Sequence, residues 1–439
     1  TVATAGLADA PLVSLRPVMR TVEGDLTGPR MRQSLAEVIA ASELTGHVGV
    51  VLSDAKTGEV IDHHDADIQL PPASVTKAVT ALYALEALGP EFQFETRVVA
   101  NGPILNGILD GDLILAGGGN PNLVTDDLAV LAERLKESGI TEVRGKFYVY
   151  DDALPNLDEI DESQLDYLGY NPAISGLNLN YNRVHFEWRK AGNGYSVTMD
   201  ARSDKYRPNV YISKMQIAAR NLPVYSYKDG GNFDQWTVAR GALGKGGSRW
   251  LPVRKPGLYA ADVFQTLARA QGIVLKNPQR ATNTPKARAL VTHTSAPLST
   301  ILRDMLKYST NLTAEALGAS AGYISGKKPQ SIIQAAGLTT RLMPQEVGAI
   351  GGNGWTGFSL ENHSGLSVRS RATPRQIAFM LREGQKRWGD EYLALFTNKT
   401  MTPERMGLAP GMQPPKHYIL GKTGSMNFVR GLAGFASIK

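Results

Sequence analysis

The chain has 439 residues, enough for two or three folding units and a large buried core. Hydrophobic residues make up 42% and charged residues 20%, which excludes a disordered or fibrous chain, and no run of about 18 apolar residues reads as a membrane span. Lys and Arg outnumber Asp and Glu by 47 to 41 for a net +6, but the basic residues are scattered as on a solvated surface rather than clustered for nucleic acid, and the lack of cysteine removes disulfides, thiolate metal sites and thiol nucleophiles.

In chain order, apolar spacing predicts a helix over 31–41. A hairpin follows over 47–62, turning at Asp54-Ala55-Lys56-Thr57-Gly58. Pro71 and Pro72 end the next extended segment, and a helix runs over 75–88, where Val75, Val79, Leu82 and Leu85 recur at helical spacing before Gly89-Pro90 stops it. From about 92 to 288 the pattern changes to short strands such as 145–150 and 210–213, punctuated by Gly, Pro and Asn. This inserted region reads as β-rich with one amphipathic helix, 260–270. Helices return over 298–307, 312–324 and 374–385, and the chain closes on a strand pair, 418–423 and 431–438.

Ser74 and Lys77 lie three apart at a helix start, so a hydroxyl and an amine share one face. A serine hydroxyl is a weak nucleophile until a base takes its proton, and Lys77 is such a base if burial and a neighbouring positive charge favour its neutral form. The helix N-terminus adds unpaired N–H groups near the reacting centre. Alone, Ser-x-x-Lys is a common spelling, and Ser74 reads first as an N-cap. Two further elements change that reading. Ser309-Thr310-Asn311 stands between two predicted helices and offers a hydroxyl and an amide to a cleft. Lys422-Thr423-Gly424 ends an apolar strand, where Gly424 lets a substrate backbone approach the strand edge and Lys422 with Thr423 offers charge and hydroxyl to a carboxylate.

These three elements, in this order, resemble the active-site-serine penicillin-recognising enzymes. The 231 residues between Lys77 and Ser309, with the phrases Leu115-Ala116-Gly117-Gly118-Gly119-Asn120-Pro121, Ile174-Ser175-Gly176-Leu177-Asn178-Leu179-Asn180, Lys307-Tyr308-Ser309-Thr310-Asn311-Leu312-Thr313-Ala314-Glu315 and Ser364-Gly365-Leu366-Ser367, resemble the class C low-molecular-mass penicillin-binding proteins, which are DD-carboxypeptidases and endopeptidases. The resemblance implies an α/β (α+β) architecture: a transpeptidase-like catalytic domain, an antiparallel sheet with helices on both faces, carrying a large inserted β-rich region. It places the catalytic domain at 1–95 and 289–439, a second domain at 96–175 and 254–288, and a third at 176–253.

The same resemblance implies that Ser74 attacks the carbonyl of the penultimate D-alanine of a peptidoglycan stem peptide while Lys77 takes its proton. Ser309 relays a proton to the leaving amine, Lys422 holds the electrostatics of that relay, and Asn311 hydrogen-bonds the peptide. Thr423 receives the terminal carboxylate beside Gly424, and the backbone N–H groups of Ser74 and Ser425 form the oxyanion hole. No metal or cofactor is implied. β-Lactam antibiotics are expected as covalent inhibitors, nucleic acid is not a partner, and the site of action lies outside the cytoplasmic membrane. A chain beginning at Thr1 then reads as one from which an export signal has been removed. Two departures stand out. Asn362-His363 and Val368 flank the Ser-Gly-Leu-Ser phrase where the family often has Asp-Gly and Arg, with Arg369 one place later, and only 15 residues follow Gly424 where the fold usually continues with a strand and a helix. Asp151 or Asp152 is the candidate contact to the substrate's free amine.

Other spellings have plainer readings. Lys56-Thr57-Gly58 suits a turn, and Gly117-Gly118-Gly119 lacks the Lys-Ser/Thr of a phosphate loop. His63-His64-Asp65 with Asp67 has no second ligand cluster. His47, His185, His293, His363 and His417 read as isolated, without a serine elbow. A β-lactamase or esterase using the same residues is disfavoured by the insertion, and a non-catalytic wall-binding protein by three undamaged motifs. The choice between carboxypeptidase and endopeptidase stays open at this level.

Overall fold

The computed structural model of the chain describes residues 34–42, 44–399 and 417–438. Within them the hydrophobic residues separate into two large cores. One is built from residues between Val98 and Leu275; the other joins Val75 to Phe94 with Leu298 to Phe396. The apolar pattern of the chain therefore interrupts one core to build another, as expected of an insertion.

The catalytic half is organised around the helix Thr76–Leu88, which follows the 3₁₀ turn Ala73–Val75. Its residues from Thr76 to Leu85 are all buried, so it is a central helix rather than an amphipathic one, wrapped by Leu298–Tyr308, Asn311–Ile324 and Pro374–Leu393. The Leu298–Tyr308 helix, by contrast, buries Leu298, Ile301, Leu302, Met305 and Leu306 on one stripe. The expected antiparallel sheet is present in two pieces among the described residues. Val50–Ser53 pairs with Val60–His64, and separately His417–Met426 pairs with Val429–Ile438 with Thr397–Asn398 on its edge. The Pro374–Leu393 helix packs against both pieces, and the C-terminal strands cover the Ala73–Val75 turn. The first helix is described as Leu35–Ala41, capped by Ser34; positions 31–33 of the expected element lie outside the described residues.

The inserted half holds a five-stranded sheet in the order Gln279–Arg280, Phe147–Tyr150, Asp112–Gly117, Glu95–Asn101 and Ala289–Thr294, and two three-stranded sheets built from Arg183–Ala191 and Asp234–Ala239 with their neighbours. Ala289–Thr294 pairs with Glu95–Asn101 in the five-stranded sheet, and the helices resume at Leu298, as its spacing predicts. There the two chain crossings run side by side: Phe94 N donates to Ser295 Oγ at 2.9 Å and Leu298 N to Phe92 O at 2.8 Å.

Three sequence expectations need correction. The inserted half has a second helix, Thr125–Glu137, with Asp126 and Asp127 in its first turn, Arg134 and Lys136 in its last, and Leu128, Leu131, Ala132 and Leu135 buried. Its spacing was present in the sequence. The strand expected over 210–213 instead begins at Ser213, because the N–H groups of Tyr211 and Ile212 are taken by Asp262 Oδ2 at 2.6 and 3.2 Å and the chain turns there. A further helix, Ile332–Val347, carries Pro344 in its interior, which masks its pattern.

Leu82 is wholly buried at the centre of the catalytic core. Leu82→Ala is expected to destabilise that half by about 2–5 kcal/mol, read as a lower midpoint in chemical denaturation followed by circular dichroism.

Candidate active site

Ser74 stands where the backbone is most constrained. Two prolines precede it, Ala73 has a left-handed φ of 48°, and the chain turns at once into the buried helix. Ser74 is partly exposed, whereas Lys77, one turn on, is fully buried. Lys77 Nζ lies 3.0 Å from Ser74 Oγ, 2.8 Å from Asn311 Oδ1 and 2.7 Å from the Ser364 carbonyl. The Asn311 oxygen and the Ser364 carbonyl can only accept. A neutral amine has two N–H bonds, and these two acceptors use both, which leaves its lone pair facing the Ser74 hydroxyl. The Asn311 amide is oriented by its other end: Nδ2 donates to the Tyr170 carbonyl at 3.0 Å.

Electrostatics favour that neutral form. Burial, and next the charge of Lys422, hold Lys77 well below the ordinary lysine range, while Glu315 opposes them. Lys422 is itself buried and is pushed down to about 8 by burial and then by Lys399; its ammonium donates to the Thr423 carbonyl at 2.6 Å. Along this strand Lys422 and Gly424 are buried and Thr423 and Ser425 exposed, the alternation of a pleated strand.

The glycine of Lys-Thr-Gly has close neighbours within the chain itself. A Cβ on Gly424 would stand 2.9 Å from the Pro72 carbonyl and 3.0 Å from both Ala73 Cβ and the Ser74 N, so the chain's own Ser74 turn already makes a close approach that requires glycine here. Gly365, at a φ of 72°, passes over Ala73 and Thr76 in the same way.

Ser309 occupies the turn between Leu298–Tyr308 and Asn311–Ile324 with left-handed φ and ψ of 58° and 40°, a strained conformation for serine of the kind that costs of order 1–3 kcal/mol. It stands two residues before Asn311. The helix that starts there also meets the inserted half: Thr313 Oγ1 donates to Asn122 Oδ1 at 3.2 Å, and Leu154 packs with Ala316 and Ala319. The loop bearing Tyr170 is held by buried Arg254, whose Nη1 donates to the carbonyls of Asp158 and Asn171 at 2.7 and 3.0 Å and whose Nη2 donates to that of Asp166 at 3.0 Å. Nothing local in the sequence marked Tyr170 or Arg254 as neighbours of the site.

Two more residues escaped the sequence reading. Glu315 is buried behind Lys77 and accepts the backbone N–H groups of His363 at 3.0 Å and Ser364 at 2.7 Å. His363, which read as isolated, has its ring Nδ1 3.5 Å from Glu315 Oε2 and its Nε2 2.8 Å from Thr339 Oγ1. Burial pushes Glu315 upward, but His363 and the hydrogen bonds outweigh it and leave the carboxyl below its usual range.

Asp151 does not fit the expected role of a free anion for a substrate amine. It is buried and ion-paired at 2.7 Å with Arg280, and burial raises its carboxyl, because the strand before it and Gly257 enclose it. Its neighbour Asp152 is exposed and accepts from Asn156 Nδ2 at 2.7 Å. Arg369 pairs with Glu361 at 3.3 Å. Of the other spellings, Lys56-Thr57-Gly58 forms a turn around Asp54, Gly119 N donates to the Gly176 carbonyl at 2.7 Å where the two inserted phrases cross, and Asp67 is held by Arg375 at 2.8 Å.

Gly424→Val is expected to displace the Ser74 turn. Measured with a fluorescent penicillin, the variant should lose most of its acylation rate while circular dichroism stays that of the wild type; an unchanged rate would show that the turn tolerates the new side chain.

The sequence profile of the D-Ala-D-Ala carboxypeptidase 3 (S13) family matches residues 31–439. The chain is 28% identical over 448 residues to a D-alanyl-D-alanine carboxypeptidase of Actinomadura sp. (strain R39), covering 94% of this chain and 80% of that protein. It is 26% identical over 413 residues to the D-alanyl-D-alanine carboxypeptidase DacB of Haemophilus influenzae, covering 89% and 82%. The crystal structure of penicillin binding protein 4 (dacB) from Haemophilus influenzae superposes with a TM-score of 0.71 at 25% identity, covering 88% of this chain and 86% of that one. With its two-part core and its inserted sheets, the chain belongs to the D-Ala-D-Ala carboxypeptidase 3 (S13) family.

Proposed function

We propose that the chain is a serine DD-peptidase that removes the terminal D-Ala of peptidoglycan stem peptides, cleaves D-Ala cross-links between them, or does both, through an acyl-Ser74 intermediate, and that β-lactams acylate the same serine. The observation that carries this reading is the buried Lys77 amine 3.0 Å from Ser74 Oγ, with two further partners that can only accept. In acylation the Ser74 proton passes to Lys77 as the Oγ–C bond forms at the D-alanyl carbonyl. The C–N bond then breaks, and the leaving amine takes a proton relayed through Ser309. Asn311, already hydrogen-bonded to Lys77, offers its amide N–H to the peptide in exchange for the Tyr170 carbonyl. Exposed Thr423 beside the Lys422 ammonium takes the terminal carboxylate, and the N–H groups of Ser74 and Ser425 receive the oxyanion. Water later attacks the ester carbonyl and releases Ser74. Because the substrate is cell-wall peptide, the reaction belongs outside the cytoplasmic membrane; among the described residues no helix is long and apolar enough to cross one.

Labelling with a fluorescent penicillin and mapping the peptide should place the adduct on Ser74, with the label lost in Ser74→Ala. Lys77→Ala should bind the ligand but acylate at least ~100-fold more slowly, since the proton has no acceptor. Label on another serine, or a wild-type rate in Lys77→Ala, would overturn the assignment. The pH profile offers a second check. Lys422 loses its proton near pH 8, and with it goes the positive charge that keeps Lys77 neutral and attracts the carboxylate, so acylation should fall as pH rises through that value. Lys422→Arg, which stays charged, should move this alkaline limb upward even if its plateau is lower. A limb that stays in place would assign it to another group.

A further inference from the structure

Behind Lys77 lie a buried carboxylate and a buried imidazole that the reaction does not touch directly. Glu315 sits on the Asn311–Ile324 helix, one turn after the asparagine that hydrogen-bonds Lys77, and both of its carboxylate oxygens are engaged by the backbone of His363 and Ser364. The same Ser364 presents its carbonyl to Lys77 Nζ at 2.7 Å. Two hydrogen bonds to Glu315 and one to the amine therefore meet on a single backbone segment. His363 closes the arrangement. Its ring lies where a side chain on Gly318 would overlap it, stacks on Tyr83 with ring centres 6.2 Å apart, is held by Thr339, and presents Nδ1 to Glu315; its backbone carbonyl accepts from Thr80 Oγ1 at 2.7 Å. A fully buried carboxylate beside an imidazole is a poor device for stability alone, since well-packed apolar side chains of the same volume do as well or better.

We propose that Glu315 and His363 are positioning residues for acylation: a buried carboxylate–imidazole pair that fixes the Ser364 carbonyl against Lys77 and supplies the negative charge against which Lys77 takes up the Ser74 proton. The inference rests on Lys77 being the base. The charged groups that act on Lys77 are Lys422 from the C-terminal strand and Glu315 from the helix, and the titratable partner facing Glu315 is His363. Burial, and next Lys422, favour the neutral amine at rest. Glu315 steadies the ammonium that forms when the proton arrives, and His363 keeps Glu315 ionised in a place without water. Neither residue touches the substrate, so each acts on rate through Lys77.

The test uses the full chain and the second-order rate constant of acylation by a fluorescent penicillin, measured across pH, for the wild type, Glu315→Gln, His363→Gln and the double variant, with thermal unfolding to verify folding. Glu315→Gln removes the charge that favours the protonated amine, so the acid limb of the profile should move to lower pH by about one unit and the plateau should fall. His363→Gln lets Glu315 take up a proton more readily and should shift the limb in the same direction by less. The double variant should shift no further than Glu315→Gln, because His363 works through the carboxylate. Lowered stability with an unmoved limb in folded Glu315→Gln, or additive shifts in the double variant, would overturn the proposal. If Glu315→Gln fails to fold, His363→Gln decides alone: a shifted limb supports the proposal and an unmoved limb overturns it. A wild type that does not label at Ser74 would instead defeat the underlying serine mechanism, a result distinct from a labelled wild type whose variants keep its limb.

Discussion

Lys77 has no access to water, and an ammonium buried there must be either neutralised or paired. Much of the catalytic half follows from that single constraint. The two strict acceptors around Nζ come from different parts of the chain, Asn311 from the turn after Leu298–Tyr308 and Ser364 from the segment before Pro374–Leu393. In a neutral amine each would use one N–H, and the lone pair would be left for Ser74. The neighbouring positive charge comes from a third place, the C-terminal strand. Converging three distant segments on one nitrogen requires a rigid core. The helix carrying Lys77, buried from Thr76 to Leu85, meets that requirement.

The close backbone approaches serve the same end. Gly424 and Gly365 are the points at which the C-terminal strand and the Ser364 segment press against the nucleophile turn, and neither tolerates a Cβ without displacing it. The turn itself is held in a left-handed conformation at Ala73. Ser309 adopts a similar strained geometry on the opposite side. Backbone strain at both places is offset by the packing of the helices that flank them.

The inserted half is more than a passenger. It has a hydrophobic core of its own, and it reaches the site through Asn122, Leu154 and the Tyr170 carbonyl, the last of these occupying the amide hydrogen that a peptide is proposed to claim. A loop held by Arg254 thereby sets the resting orientation of Asn311.

The sequence by itself determined the three motifs, their order, the presence of a long insertion and most of the helices, because those are carried by spacing along the chain: Ser74 and Lys77 share a helix face whatever surrounds them, and the apolar stripe of Leu298–Tyr308 is visible without a partner. It also held the Thr125–Glu137 helix, whose acidic start and basic end were there to read. Only the tertiary structure decided which distant groups meet. That Gly424 abuts Ser74, that Asp151 is already paired with Arg280, that Tyr170 faces Asn311, and that His363 lies against Glu315 are contacts across 48 to 350 residues of chain. No local periodicity encodes them, since they arise from how two cores and their crossing strands are packed, and burial, which fixes the charge state of Lys77, exists only once that packing is complete.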